Sequence, residues 1–257
     1  MTPEFLLLVG TLFLVAGAVN GLAGFGFAVV ATMVLASVID PAVAVVFVII
    51  PILAVNLSLL RELSGPELRS CGQRFAPLLA AALVGAVLGM ALLDFLPDGP
   101  LRIGLGLLTL SFVASVQQAV RIPGLDRTKQ GCFVESKAGM IGFGGVSGLL
   151  FGGTNVGIQL VAYVKSCDLS HGLFIGVIAL IFVGLNGVRV AAAGALGLYP
   201  DVFVLLLSLA AAIPAVVGVA VGTRLRLAVS ERLRRRAVLG LLSVIGLRLL
   251  VAGIGLA

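Results

Sequence analysis

Apolar residues in this chain fall into ten blocks, and polar residues gather in the gaps between them. The blocks run over 4–19, 24–39, 41–60, 75–95 and 101–120, then over 138–150, 155–167, 172–196, 202–222 and 237–256. A helix that crosses a bilayer needs about 20 apolar residues, so the pattern predicts an all-α, polytopic membrane protein. The first two blocks of each set are short. At about 1.5 Å per residue a 16-residue helix reaches about 24 Å, less than the roughly 30 Å hydrocarbon core. Each short pair therefore reads as a bent hairpin whose tip stays at membrane depth.

The two tips read alike. Asn20-Gly-Leu-Ala-Gly-Phe-Gly-Phe27 lies in the first hairpin and Ser147-Gly-Leu-Leu-Phe-Gly-Gly-Thr-Asn155 in the second. Further pairs follow in the same order. Asp40 matches Asp168, Arg61 matches Arg189, Pro77 and Gly85 match Pro214 and Gly222, and Arg102-x-x-x-Gly-Leu-Leu108 matches Arg236-x-x-x-Gly-Leu-Leu242. Such self-similarity predicts duplication, with about five helical segments per half. The expected organisation is a first repeat over 1–122, a cytoplasmic linker over 123–136 turning at Pro123-Gly124, and a second repeat over 137–257.

Charge adds orientation. Arg61, Arg69 and Arg74 fall in one gap. Arg121, Arg127, Lys129 and Lys137 fall in a second, and Arg224, Arg226, Arg232, Arg234, Arg235 and Arg236 in a third. These gaps hold most of the 17 Lys and Arg, which places them in the cytoplasm of a cell-membrane protein. Asp94, Asp98 and Asp201 then face out, as do both termini, and the two halves are inverted. Met-Thr-Pro-Glu-Phe carries no positive charge before the first apolar block, so that block is expected to remain in the fold.

Composition narrows the function classes. Hydrophobic residues make up 60% and charged ones 11%, against roughly 25% charged in soluble domains. The net charge of +6 reads as orientation, not nucleic-acid binding. Cys71, Cys132 and Cys167 form no CxxC pair and read as reduced. With His171 the sole histidine, no metal or other cofactor is expected. HExxH and GxSxG are absent, so an enzyme is not expected.

In the glycine-rich tips and their order, the chain resembles the TauE/SafE family of sulfite-exporter-like membrane proteins, also called TSUP. The residues that carry this are Ala-Gly-Phe-Gly-Phe at 23–27 followed by Asp40-Pro41, and Gly-Gly-Val-Ser-Gly-Leu-Leu-Phe-Gly-Gly at 144–153. The resemblance spans roughly 5–250. It implies transport of small sulfur-containing anions such as sulfite or sulfonates.

The tips suit that chemistry. Glycine lets backbone amides approach a ligand, and a helix that starts inside the membrane presents unpaired N–H groups and about half a positive charge. Asn20, Gly24, Gly26, Ser147, Gly148, Gly152, Gly153, Thr154 and Asn155 are the candidate anion-binding residues. Asn56, Gln159, Asn186 and Arg189 are candidates for lining the pathway. Arg189 reads alternatively as snorkelling to the headgroups, as do Arg102 and Arg248. Gly85, Gly89, Gly218 and Gly222 fit small-xxx-small helix packing, and the tip glycines admit that reading too. Asp40 and Asp168 read as helix caps. No carboxylate then remains at membrane depth for a proton relay. The expected partners are a small anion and the lipid bilayer, with a second copy of the chain left open. The competing reading is a structural or accessory membrane subunit that transports nothing.

Overall fold

The computed structural model describes residues 3–92, 137–167, 169–225 and 231–255, with scattered positions between 95 and 114. Helices account for nearly all of them. The first half contributes α1 (Pro3–Ala23), α2 (Phe27–Ala36), α3 (Pro41–Leu59, prolonged by a 3₁₀ turn over Leu60–Glu62) and α4 (Gly65–Ala91). The second contributes α5 (Lys137–Thr154), α6 (Ile158–Ser166), α7 (His171–Ala195), α8 (Val202–Leu225) and α9 (Glu231–Gly253). Among the described residues, four helices are long and apolar enough to cross a bilayer: those starting at Pro41, Gly65, Gly172 and Val202. This is an all-α polytopic membrane protein. The linker at 123–136, Asp168 and Arg102 lie outside the described residues.

Local chemistry sets the helix starts. Asp40 accepts from the Val43 amide at 2.9 Å, with Pro41 at the first helical position. The lone donor-free N of proline costs nothing there. Asp201 accepts from the Val204 amide at 2.7 Å in the same way. Ser64 and Glu67 form a reciprocal capping box with Pro66 in the first turn, which starts α4 ten residues ahead of the apolar block. Arg69 and Arg74 therefore stand on a helix and not in a loop, as does Arg224 at the end of α8 and Arg236 on α9. Hydropathy alone misses these starts because a capping box is built from polar residues.

Helices of the two halves interlock. α1 packs on α8, and α4 on α5, in the two most extensive helix contacts of the protein. The first helix of each half thus lies against the fourth of the other. Both contacts are made by backbone touching backbone. A Cβ on Gly17 or Gly21 would run into the Ala215 and Val219 carbonyls, and one on Gly218 or Gly222 into those of Leu14 and Ala18. Gly85 and Gly89 meet the Gly145 and Leu149 carbonyls, while Gly144, Gly148 and Gly152 meet those of Leu78, Ala82 and Ala86. Close approach of this kind drives helix association where lipid is as apolar as leucine.

One interhelical bond repairs a helix defect. Pro51 lies inside α3 and has no N–H for the Phe47 carbonyl one turn back. The Ser208 hydroxyl of α8, fully buried, donates to that carbonyl instead.

Cysteine usage differs from expectation at one position. Cys167 is disulfide-bonded, whereas Cys71 is free and buried. Spacing along the chain carries no information on which thiols a fold brings together.

Candidate functional site

Between α1 and α2 the backbone turns through Gly24 (φ +81°) and Gly26 (φ +106°). Both values are left-handed, a region that glycine enters without the Cβ clash other residues meet. Gly26 is the N-cap of α2 and offers no side chain to the helix start. Asn20 supplies it: its Oδ1 accepts from the Phe27 amide at 3.2 Å, and its carbonyl accepts from the Gly24 amide at 2.7 Å. The amides of Ala28 and Val29 follow in the first turn, where no helical carbonyl can reach them.

These groups face a small cavity. Asn20, Gly24, Phe25, Gly26, Phe27, Ala28, Ile52, Asn56 and Phe182 line it, and its volume is about 20 Å³. A space of that size admits one water, far less than an oxyanion. The site is closed around the first break. Asn20 and Asn56 are buried. Asn56 donates one of its two amide protons to the Ile52 carbonyl at 2.8 Å, which ties that side chain to α3.

The second break is built differently. Gly152, Gly153 and Thr154 still belong to α5. The left-handed residue is Asn155 (φ +58°), not a glycine, and the gap to α6 is residues 155–157. Asparagine tolerates this region because its short side chain bonds locally or to neighbours. Here Nδ2 donates to Thr32 Oγ1 at 2.9 Å and to the Val45 carbonyl at 2.8 Å, which joins the break to α2 and α3. Its Oδ1 is buried without a partner. Thr154 donates to the Leu150 carbonyl and accepts from the Val156 amide. Ser147 is buried on α5, and Gly148 and Gly152 give their missing Cβ to the contact with α4. Gln159 is half-buried, with its Oε1 unpartnered.

Arg189 is fully buried on α7 and does not snorkel. The reason is the break beneath it. Left-handed Asn155 ends α5, and the Val156 amide turns to Thr154, which leaves the Gly152 carbonyl without its helical donor. Arg189 Nη2 donates to that carbonyl at 2.9 Å, and Nη1 donates to Asn186 Oδ1 at 3.1 Å. The guanidinium lies 4.7 Å over the Phe151 ring. A cation at a helix C-terminus is favourable. Its sequence partner Arg61 is exposed in the 3₁₀ turn, so the paired arginines occupy different environments. Arg248 is exposed, as a snorkelling residue would be.

Of the candidate residues, the first-break cavity brings together Asn20, Gly24, Gly26 and Asn56. Ser147, Gly148, Gly152, Gly153, Thr154, Asn155, Gln159, Asn186 and Arg189 do not line it. Three further residues that no motif pointed to carry buried groups, and one of them lines the cavity. Phe182 lines the cavity and stacks on Phe151 with centroids 5.2 Å apart. Thr32 is fully buried opposite Asn155. Tyr199, in the turn between α7 and α8, has a buried hydroxyl with no partner. Burial pushes its phenol above the ordinary value, opposed by the positive charge of Arg189.

Comparison with known families then gives one match: the family described as sulfite exporter TauE/SafE covers residues 9–249. No curated protein and no solved structure matches the chain.

Proposed function

The chain belongs to the sulfite exporter TauE/SafE family, and from that premise we propose that it carries small sulfur-containing oxyanions, sulfite or organosulfonates, across the cell membrane. The anion binds at the first helix break. Family membership supports a transporter of sulfur-related anions and not an enzyme. What supports the location is the lining of the buried cavity at Gly24–Phe27: donors and no carboxylate among its residues. Asn20 Oδ1 is committed to the Phe27 amide, which leaves its Nδ2 to face the cavity beside the first-turn amides of α2. Backbone amides and the positive end of a helix stabilise an oxyanion without a lysine. Halves joined by glycine-broken helices are the architecture of many alternating-access carriers. The repeats are 1–122 and 137–257 with the 123–136 linker between them, and the basic segments face the cytoplasm.

The cavity of about 20 Å³ must widen to admit sulfite, so the closed site is one state of a cycle. Purified protein in proteoliposomes, given radiolabelled sulfite or taurine with and without a pH gradient, tests the proposal. Saturable flux that falls on replacing Asn20 supports it. Liposomes that move no oxyanion under either condition overturn it and favour an accessory subunit.

A further inference from the structure

Among the described residues that line the first-break cavity, Phe182 alone comes from the second half of the chain. The same ring stacks on Phe151, with centroids 5.2 Å apart and planes 19° from parallel. It also fills the space beside Gly157 in the second break. A Cβ on Gly157 would lie 2.6 Å from Phe182 Cε1 and Cζ and 3.0 Å from Phe151 Cδ2. Gly157 has φ −94°, a value that residues with a side chain also adopt. It is glycine for room, and the two rings occupy that room. One side chain thus touches the first-break cavity and the second break together.

Helix α7 sets that position. Ile175, Phe182 and Arg189 recur every seven residues, about two turns, so they share one stripe of the helix. Ile175 abuts Gly24 in the first break, where a Cβ would come 2.8 Å from Ile175 Cγ1. Arg189 holds the Gly152 carbonyl at the end of α5. Phe182 sits between them. Its carbonyl accepts from Asn186 Nδ2 at 2.7 Å, and Asn186 Oδ1 accepts from Arg189, so the backbone under the ring is tied to α5. Much of the remaining cavity wall is fixed. The Gly24 and Phe27 amides bond to Asn20, and the Phe27 ring packs edge-on to Phe13 at 5.7 Å. The Phe182 ring meets another ring and a glycine, contacts that rotation of its side chain releases without breaking a helix hydrogen bond.

We propose that Phe182 is the gate of the first-break site and sets the largest anion the site accepts. With the ring on Phe151, the cavity of about 20 Å³ admits one water. When the ring leaves Phe151, the space it vacates joins the cavity, and sulfite or a small sulfonate fits against the α2 amides. The second break controls the ring, because Gly157 and Phe151 form its seat. Anion binding in the first half is thereby coupled to the conformation of the second. The gate rests on the transport reading above and deepens it by naming the residue that selects by size.

The test uses the whole protein in proteoliposomes, with sulfite and the bulkier benzenesulfonate as probes. Phe182→Leu keeps an apolar side chain and removes the ring. Its kcat/KM for benzenesulfonate relative to sulfite is expected to rise at least about tenfold over wild type. With no anion added, its amides at 27–29 should exchange with solvent deuterium about tenfold faster. Phe75→Leu trims another buried ring, one that packs on Tyr163 and does not line the cavity, and should change neither reading. Gly157→Ala pushes the Phe182 ring off its seat towards the cavity, so flux of both anions falls, and falls much less beside Phe182→Leu. An unchanged size preference or unchanged exchange in Phe182→Leu overturns the gate, as does a Gly157→Ala loss of equal size in both backgrounds. If Gly157→Ala does not fold, the two Phe182→Leu readings decide. If wild type moves no anion, the transport reading fails separately, and the gate then stands or falls on the exchange comparison alone.

Discussion

The Asn155 amide donates to Thr32 Oγ1 at 2.9 Å, across 123 positions of sequence. A residue that ends the second half's first helix is thereby held by the first half's short helix. The Val45 carbonyl takes the second amide proton, so α2, α3 and the second break meet at one side chain.

Replacing Asn155 separates strain from bonding. Asn155→Ala loses both bonds and puts a Cβ-bearing residue without a polar side chain at φ +58°. We expect it to destabilise by about 2–4 kcal/mol. Asn155→Gly loses the same bonds but relieves the backbone, and is expected to fall by less. Thermal melts in detergent give the order. Equal losses would mean that the left-handed conformation carries no cost.

The Ser208 bond to Phe47 is testable as a cycle. Ser208→Ala strands the Phe47 carbonyl in the core, at a cost of about 1–3 kcal/mol. Pro51→Ala returns the helical N–H that the carbonyl lacks. In the double variant the Ser208→Ala loss should shrink well below its value alone. Additive losses would show that Pro51 is not why Ser208 is needed.

Glycines of α5 divide into two classes that sequence does not distinguish. Gly144 and Gly148 abut α4 carbonyls, while nothing lies within 4 Å of a Cβ built on Gly142 or Gly145. Gly148→Ala is therefore expected to lower the yield of folded protein sharply. Gly142→Ala, which stiffens the unfolded chain and improves helix propensity, should be neutral or stabilising by up to about 1 kcal/mol. Similar melting temperatures for the two variants would remove close packing as the reason for the small-residue pattern.

The same contrast explains what sequence could and could not reveal. Helix existence, the Asp40 cap and the break at Gly24–Gly26 follow from short-range rules: hydropathy over a span, a capping residue, glycine at positive φ. The second break was legible as a place but not in its chemistry, because Asn155 takes the turn and its neighbours Gly148 and Gly152 serve packing. The burial of Arg189 was hidden. Its apolar flanks suit snorkelling as well as burial, and only the orphaned Gly152 carbonyl on another helix decides between them. Thr32, Phe182 and Tyr199 carry no local signature, since Thr32 and Phe182 acquire their roles from partners on other helices and the Tyr199 hydroxyl has no partner at all.

Asn20 separates holding the fold from holding the anion. Its Oδ1 caps α2 through the Phe27 amide, an acceptor role that a carboxylate also fills, with added favour from the helix N-terminus. Its Nδ2 is the donor proposed for the substrate, and a carboxylate has none. Asn20→Asp is therefore expected to fold with a lowered melting temperature, since the helix N-terminus compensates a buried carboxylate only in part, and to lose sulfite flux at least about tenfold, because the donor is gone and a like charge stands where the anion must bind. Asn20→Ala loses the cap as well, so both melting temperature and flux should drop. If Asn20→Asp transports at the wild-type rate, the first break does not contact the anion through this side chain. The path then runs through the remaining amides of α2 or elsewhere.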